Sequence, residues 1–364
     1  MDSINSKCRK IKVKKSTIIV IIVIVILVLI CAFPSIYWHF YYNGGNFRYT
    51  VNADGKTCTI VSYDDSDPEE ANVNIPSEIN GYIVTQIDDL AFMEKNIISV
   101  TIPSTVVNIG AGAFANCTSL KAVYGLENCL SIQQIQEKTF FCCESLKSIS
   151  LPPDLKYIGE QAFLQCYALE NIDFPTSLKT IDRAAFFSCT ALTKIVFPDG
   201  IRKIDSAFAG CVSLNDVIIP ASVEELGSGA FMDCSSLKNI HVDDKNTVFS
   251  SVNGIVYDKE QSTLWIYPSG RTDDNFSVPE GIKTLVSVSL AYSNLKSIDI
   301  PKSVKFLSDK VFVESFDLIT INYAGTVQEW KLIQKDQAWD KDSAEYTIYC
   351  TDGQISKDGT ITYK

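Results

Sequence analysis

The residues with the most reactive chemistry are cysteines. The chain carries twelve, and six of them, Cys117, Cys143, Cys166, Cys189, Cys211 and Cys234, recur at intervals of 22 to 26 residues. Thiolates at short spacings bind zinc or perform redox chemistry, but no C-x-x-C pair occurs here. One cysteine per period instead stacks the thiols in a column with parallel Cβ directions. Neighbours in such a column are near enough for a disulfide but do not face one another. The expected role is therefore structural: a small buried hydrophobe with a weak donor. Cys58, Cys129, Cys142 and Cys350 fall outside the column, and a disulfide among them stays open in an oxidising compartment.

Other catalytic or metal-binding constellations are sparse. Of the two histidines, His39 belongs to an aromatic cluster and His241 to an outward strand position, so a nucleophilic triad could form only around His241. His241 with Asp243 and Asp244 offers metal-binding side chains, yet reads better as a solvated strand end. The acidic run from Asp64 to Glu70 lacks the glycine and terminal glutamate of a calcium loop. No glycine-rich phosphate loop is present. The reading is a protein that is not an enzyme and has no metal and no cofactor.

The elements that must carry the cysteines follow from the same spacing. Phe114, Phe140, Phe163, Phe186, Phe208 and Phe231 each stand three residues before a column cysteine. Leu120, Leu146, Leu169, Leu192, Leu214 and Leu237 each stand three after one. The frame continues at Phe92 and at Phe312/Leu318, with Ser315 in the cysteine position. A second ladder lies three and six residues after a proline: Val106/Ile109, Leu155/Ile158, Leu178/Ile181, Ile201/Ile204, Val223/Leu226, Ile282/Leu285 and Val304/Leu307. Repetition at such a period marks a solenoid, whose coils bury their apolar faces only against neighbouring coils.

Written out, L-x-x-I-x-I/F-P-x-S-[VLI]-x-x-I-G/D-x-x-A-F-x-x-C resembles the BspA-like leucine-rich repeat family over roughly residues 47–352. The resemblance implies a leucine-rich repeat solenoid, β-rich with a parallel sheet and short helical turns. It also implies surface-exposed binding or adhesion to host or neighbouring cells. The string I-N-Y-A-G-T-V-Q-E-W, followed by Y-T-I-Y-C-T-D-G, resembles the family's carboxyl-terminal cap.

Along the chain, residues 1–15 form a basic tail with six Lys/Arg, and residues 18–33 are uninterruptedly apolar. The stretch 16–38 is long enough for a transmembrane helix acting as a signal anchor. With the basic tail on one side and Tyr37, Trp38, Phe40, Tyr41 and Tyr42 on the other, the amino terminus is expected inside. A cleaved signal peptide is the rival reading, and the sequence does not decide whether the anchor is retained. A linker at 39–46 and a β-hairpin cap at 47–74 follow. Repeats then fill 75–321, broken by a hairpin insert within 243–278, and a cap at 322–364 has its last ten residues expected to fray. The insert reads as a structural excursion, though such elements also emerge on functional faces. Net charge is −11, and residues 16–364 hold 26 Lys/Arg against 42 Asp/Glu, which argues against a nucleic-acid partner.

Strand alternation puts Tyr124, Ser150, Asp173, Val196, Ile218 and His241 on one outward column, the expected partner-binding surface. Whether its apolar members are scattered or form a contiguous contact set stays open at this level. The resulting expectation is a cell-membrane protein, single-pass with an extracellular carboxyl-terminal domain, that binds a protein ligand on a cell or host surface. The alternative is a structural, self-associating envelope protein without a dedicated ligand.

Overall fold

The computed structural model describes residues 42–66 and 71–364. The chain divides into two units, Met1–Asn43 and Gly44–Lys364. The expected basic tail and the anchor at 16–38 lie outside the described residues, and of the first unit only residues 42 and 43 are described. Among the described residues no helix is long and apolar enough to cross a membrane.

The second unit is a β-solenoid of parallel sheets with little helix. One ladder runs Asn72–Asn74, Ser99–Thr101, Ala122–Tyr124 and Ser148–Ile149, and a bridge from Ser150 to Asp173 carries it one coil further. A second ladder runs Gln134–Ile135, Tyr157–Ile158, Thr180–Ile181, Lys203–Ile204 and Glu225–Leu226, all parallel. Its buried members Ile135, Ile158, Ile181, Ile204 and Leu226 are held in register, so each coil covers the apolar side chain of the one before. The strands are short because proline removes a ladder donor at one end and a tight turn follows at the other.

Between the ladders the chain turns through the Phe-x-x-Cys segment. Stacked rings from Phe92 to Phe231 have centroids 5.0 to 5.8 Å apart. Main-chain bonds tie the same turns together: the Phe163 N–H donates to the Ala185 carbonyl at 2.7 Å and the Phe186 N–H to that of Ala207 at 2.8 Å. Each column thiol donates back to the phenylalanine carbonyl of the preceding coil. Cys143 reaches Phe114 O at 3.2 Å, Cys189 reaches Phe163 O at 3.2 Å, and Cys234 reaches Phe208 O at 3.3 Å. Ser315 does the same to Leu290 O at 2.8 Å, which explains why a hydroxyl replaces a thiol there. The residue before each cysteine has positive φ, Gln165 at 59° and Gly210 at 75° among them. Cys142 occupies this left-handed position, so its side chain points away from the column and lies 3.0 Å from Gln165 Oε1. All cysteines among the described residues are free thiols, including Cys58, Cys129, Cys142 and Cys350.

At the amino-terminal end, Phe47–Val51 pairs antiparallel with Thr57–Tyr63, and Tyr63 stacks on Phe92 with centroids 5.3 Å apart. At the other end Thr326 and Glu329 form a capping box on the helix Val327–Leu332. The expected fraying of the last ten residues does not occur. Strand Gly353–Ser356 pairs antiparallel with both Thr347–Tyr349 and Ile361–Tyr363, which gives the terminal backbone its hydrogen bonds.

The insert also departs from the expectation of a single hairpin. It has three antiparallel strands, Phe249–Val252, Ile255–Asp258 and Thr263–Ile266. The two-residue turn Asn253-Gly254 has φ of 52° and 77°, the double left-handed geometry that tight hairpins require. Nor is the insert an excursion over the surface, because both of its faces are buried. Phe249, Val256 and Ile266 join the apolar cluster of the preceding coils, whereas Ile255, Tyr257 and Leu264 join that of the following coils. Successive side chains point to opposite faces of a strand, and a bulge at Trp265 sets Ile266 opposite Val256 but Leu264 opposite Tyr257, so this small sheet acts as a septum between two cores.

Candidate functional site

The outward column is positioned by that alternation. In Asp216–Ile219 the even-numbered side chains face solvent, while Val217 and Ile219 are buried. One coil earlier Ile195 and Phe197 are buried and Val196 is exposed. Phe197 stacks on Phe174 at 6.1 Å and meets Phe208 edge-on at 5.7 Å. These two extra rings coincide with a stretch, 191–198, that forms no regular strand.

Val196 is 63% exposed and Ile218 60%, comparable with other outward apolar side chains such as Phe316 and Ile319, but here the two flank one groove. Both line a groove of about 610 Å³ together with Lys194, Asp199, Asp216 and Asp243. Ile218 pairs in register with His241 on the next coil. His241 Nε2 lies 3.8 Å from Asp216 Oδ1, and both groups are exposed. The structure thus places Val196, Ile218 and His241 on consecutive coils. Ser150 and Asp173 are exposed and bridge each other on the two coils before. Tyr124 is also exposed, at 56%, but belongs to the first ladder, where the coils of Ser150 and Asp173 separate it from Val196. The apolar members are therefore one adjacent pair plus one remote ring.

Asp199 and Asp243 were not among the residues read from the sequence as surface candidates. They sit just past the strand ends, Asp199 after Pro198 and Asp243 after Val242, so a strand-position reading passes over them although they form the groove's acidic rim. Asp243 also accepts the Lys245 N–H at 2.8 Å, a turn role that engages one of its oxygens. Among the described residues no group of three or more His, Cys, Asp or Glu side chains is placed to hold a metal. In the acidic run at 64–70, Asp65 accepts the Asn96 N–H at 2.9 Å and pairs with Lys95 at 3.0 Å. The backbone donor first, and then the ammonium, outweigh partial burial and hold its carboxyl below the usual range. Asp67, Glu69 and Glu70 lie outside the described residues.

Burial dominates the thiol column, pushing Cys117 and Cys211 each up to about 12. Thiols so placed are protonated donors, not nucleophiles.

Structural comparison finds several bacterial repeat proteins of the same fold. A leucine rich cell surface protein from Faecalibacterium prausnitzii A2-165 superposes with a TM-score of 0.57 at 22% identity, covering 82% of this chain and 98% of that one. A leucine-rich repeat protein from Bacteroides ovatus ATCC 8483 gives 0.59 at 25% identity, covering 78% and 70%. The pneumococcal vaccine antigen PcpA gives 0.55 at 21% identity, covering 79% and 82%. By sequence, no curated protein matches. The family described as BspA type Leucine rich repeat region matches in six copies over residues 85–206, 205–253 and 272–332, more than half of the chain. With the repeat frame, the stacked coils and this match in agreement, the chain belongs to the BspA-type leucine-rich repeat family.

Proposed function

We propose that this protein is held at the cell surface by a single-pass anchor at 16–38, amino terminus inside, and binds a protein partner there through its solenoid. The partner is carried on a neighbouring or host cell. Membership of a family with surface-protein relatives supports the location, and a repeat solenoid is typically a binding scaffold without catalysis. The observation that carries the reading is the adjacent exposed pair Val196 and Ile218 over a groove with an acidic rim. Removing each side chain from water contributes about 1 to 2 kcal/mol. Because the two stand on adjoining coils of a packed array, that contribution comes with little loss of backbone freedom.

The test is the double variant Val196→Asp/Ile218→Asp displayed on intact cells. Proximity labelling around the wild-type chain should mark a partner that the variant loses by about ten-fold or more, with the melting temperature unchanged. Equal labelling by both chains defeats this surface assignment.

A further inference from the structure

The septum leaves the outer sheet broken, and the break has a free edge. Strand Asn239–Val242 ends against the hairpin tip, where the Ile240 N–H donates to Gly254 O at 2.9 Å and the Val242 N–H to Ser251 Oγ at 3.0 Å. The sheet resumes at Asn275–Ser277, whose only strand neighbour among the described residues is Ser297–Ile300. Toward that neighbour the Asp274 carbonyl accepts the Ser297 N–H at 3.0 Å, and the Val278 N–H donates to Asp299 O at 2.9 Å. Alternate residues of a parallel strand bond to opposite sides, so the main-chain N–H and C=O of Asn275 and Ser277 face the break. Phe276 is correspondingly only half-buried, whereas its register partner Ile298 is fully buried.

Two residues past the edge strand, from Pro279 to Lys283, the chain lines a crevice of about 510 Å³ between the septum and the next coil. Val252, Pro279 and Ile282 supply its apolar lining. Tyr257 lines it too; the residue is 3% exposed, and among the described residues its hydroxyl has no hydrogen-bond partner. Among the described residues the sealed, unsatisfied side-chain atoms are Ser269 Oγ and Ser289 Oγ, so the Tyr257 hydroxyl meets water at the crevice and can exchange that bond for one to an occupant. Glu260 and Glu280 line the same crevice, against a single Lys283.

The geometry points to an extended peptide as the occupant of this break, added as a strand along Asn275–Ser277. Its apolar side chains would rest on Val252 and Pro279, and its basic side chains would meet Glu260 and Glu280. Two outward-facing donor–acceptor residues call for a polypeptide backbone, and the carboxylate excess calls for lysine or arginine beside it. The site is separate from the Val196–Ile218 face and does not rest on it.

The probe is a fluorescein-labelled octapeptide of alternating lysine and valine, titrated by anisotropy against the full chain in non-ionic micelles. Its alternately N-methylated form and the glutamate–valine octapeptide serve as comparisons. Saturation at one peptide per chain is expected, weakened about ten-fold by N-methylation and by Glu260→Lys/Glu280→Lys. Tyr257→Phe, which keeps the ring and removes only the hydroxyl, should weaken it about five-fold. Val196→Asp/Ile218→Asp should leave it unchanged. Equal affinity for the N-methylated peptide, or for the charge-reversed chain, overturns the proposal. So does loss of binding in Val196→Asp/Ile218→Asp, which would place the peptide on the other face. Self-association of the full chain that Glu260→Lys/Glu280→Lys abolishes overturns it as well, since the occupant would then be a second copy.

Discussion

At the residue scale the cysteine column separates two accounts of a buried thiol. Were each thiol only a small hydrophobe, alanine would replace it better than serine. The bond from Cys189 to the Phe163 carbonyl, and the same bond from Ser315 to Leu290, argue the reverse. Cys189→Ala should cost about 1 to 3 kcal/mol, because a buried acceptor loses its donor, and Cys189→Ser distinctly less. Urea unfolding midpoints of the two variants check the order. The column also couples stability to pH. Burial raises the folded thiols above their ordinary value of 9.0, to about 12 for Cys211. The folded state therefore holds protons that the unfolded chain releases, so this stabilisation is complete below pH 9 and declines as pH rises toward 12. Between pH 9 and 10 the wild-type midpoint should fall more steeply than that of Cys211→Ser, measured in parallel titrations. Spacing alone made these residues legible, because one coil imposes one environment. It could not explain Cys142, whose place is set by a left-handed backbone angle that leaves no compositional trace.

At the element scale the repeats were readable because their two apolar ladders recur, whereas the septum was not, because it belongs to no repeat. Its strands read as a hairpin, but nothing in their order shows that both faces would be covered. That requires knowing that Val256 and Tyr257 face different cores. A single hairpin over this segment leaves out the first of the three strands, which the Asn253-Gly254 turn joins to the second. This turn is also where the insert meets the sheet: a Cβ on Gly254 would lie 2.8 Å from Asn239 Cβ and 2.9 Å from its Cα, at a φ of 77°. Gly254→Ala should therefore cost about 2 kcal/mol or more, through left-handed strain and contact with a strand that cannot retreat. Hydrogen exchange is the suitable measurement. Amides of Asn239–Val242 and Ile255–Asp258 should lose protection first, while Thr180–Ile181 and Lys203–Ile204, several coils away, keep theirs.

For the whole molecule, the architecture follows from coils that are stable only when stacked, so both ends need covers and any interruption must rebuild contact on both sides. Tyr63, which stacks on Phe92 at one end, and Trp339, which meets Phe312 edge-on at 6.1 Å near the other, close the apolar column with rings that carry a polar group. An array covered at both ends buries its apolar columns against its own coils, and the expectation is that the proposed anchor serves location alone. A chain beginning at residue 42 should then unfold at the same temperature as the full chain, yet leave the membrane fraction for the aqueous one. Thermal melts of the two chains test the first statement, and fractionation with an alkaline wash, combined with the mass of the mature full-length protein, tests the second. An intact amino terminus in the washed membrane pellet supports the anchor. A mature mass that lacks the apolar run at 18–33 would show that the segment is a cleaved leader, and attachment to the cell would have to reside in the repeats themselves.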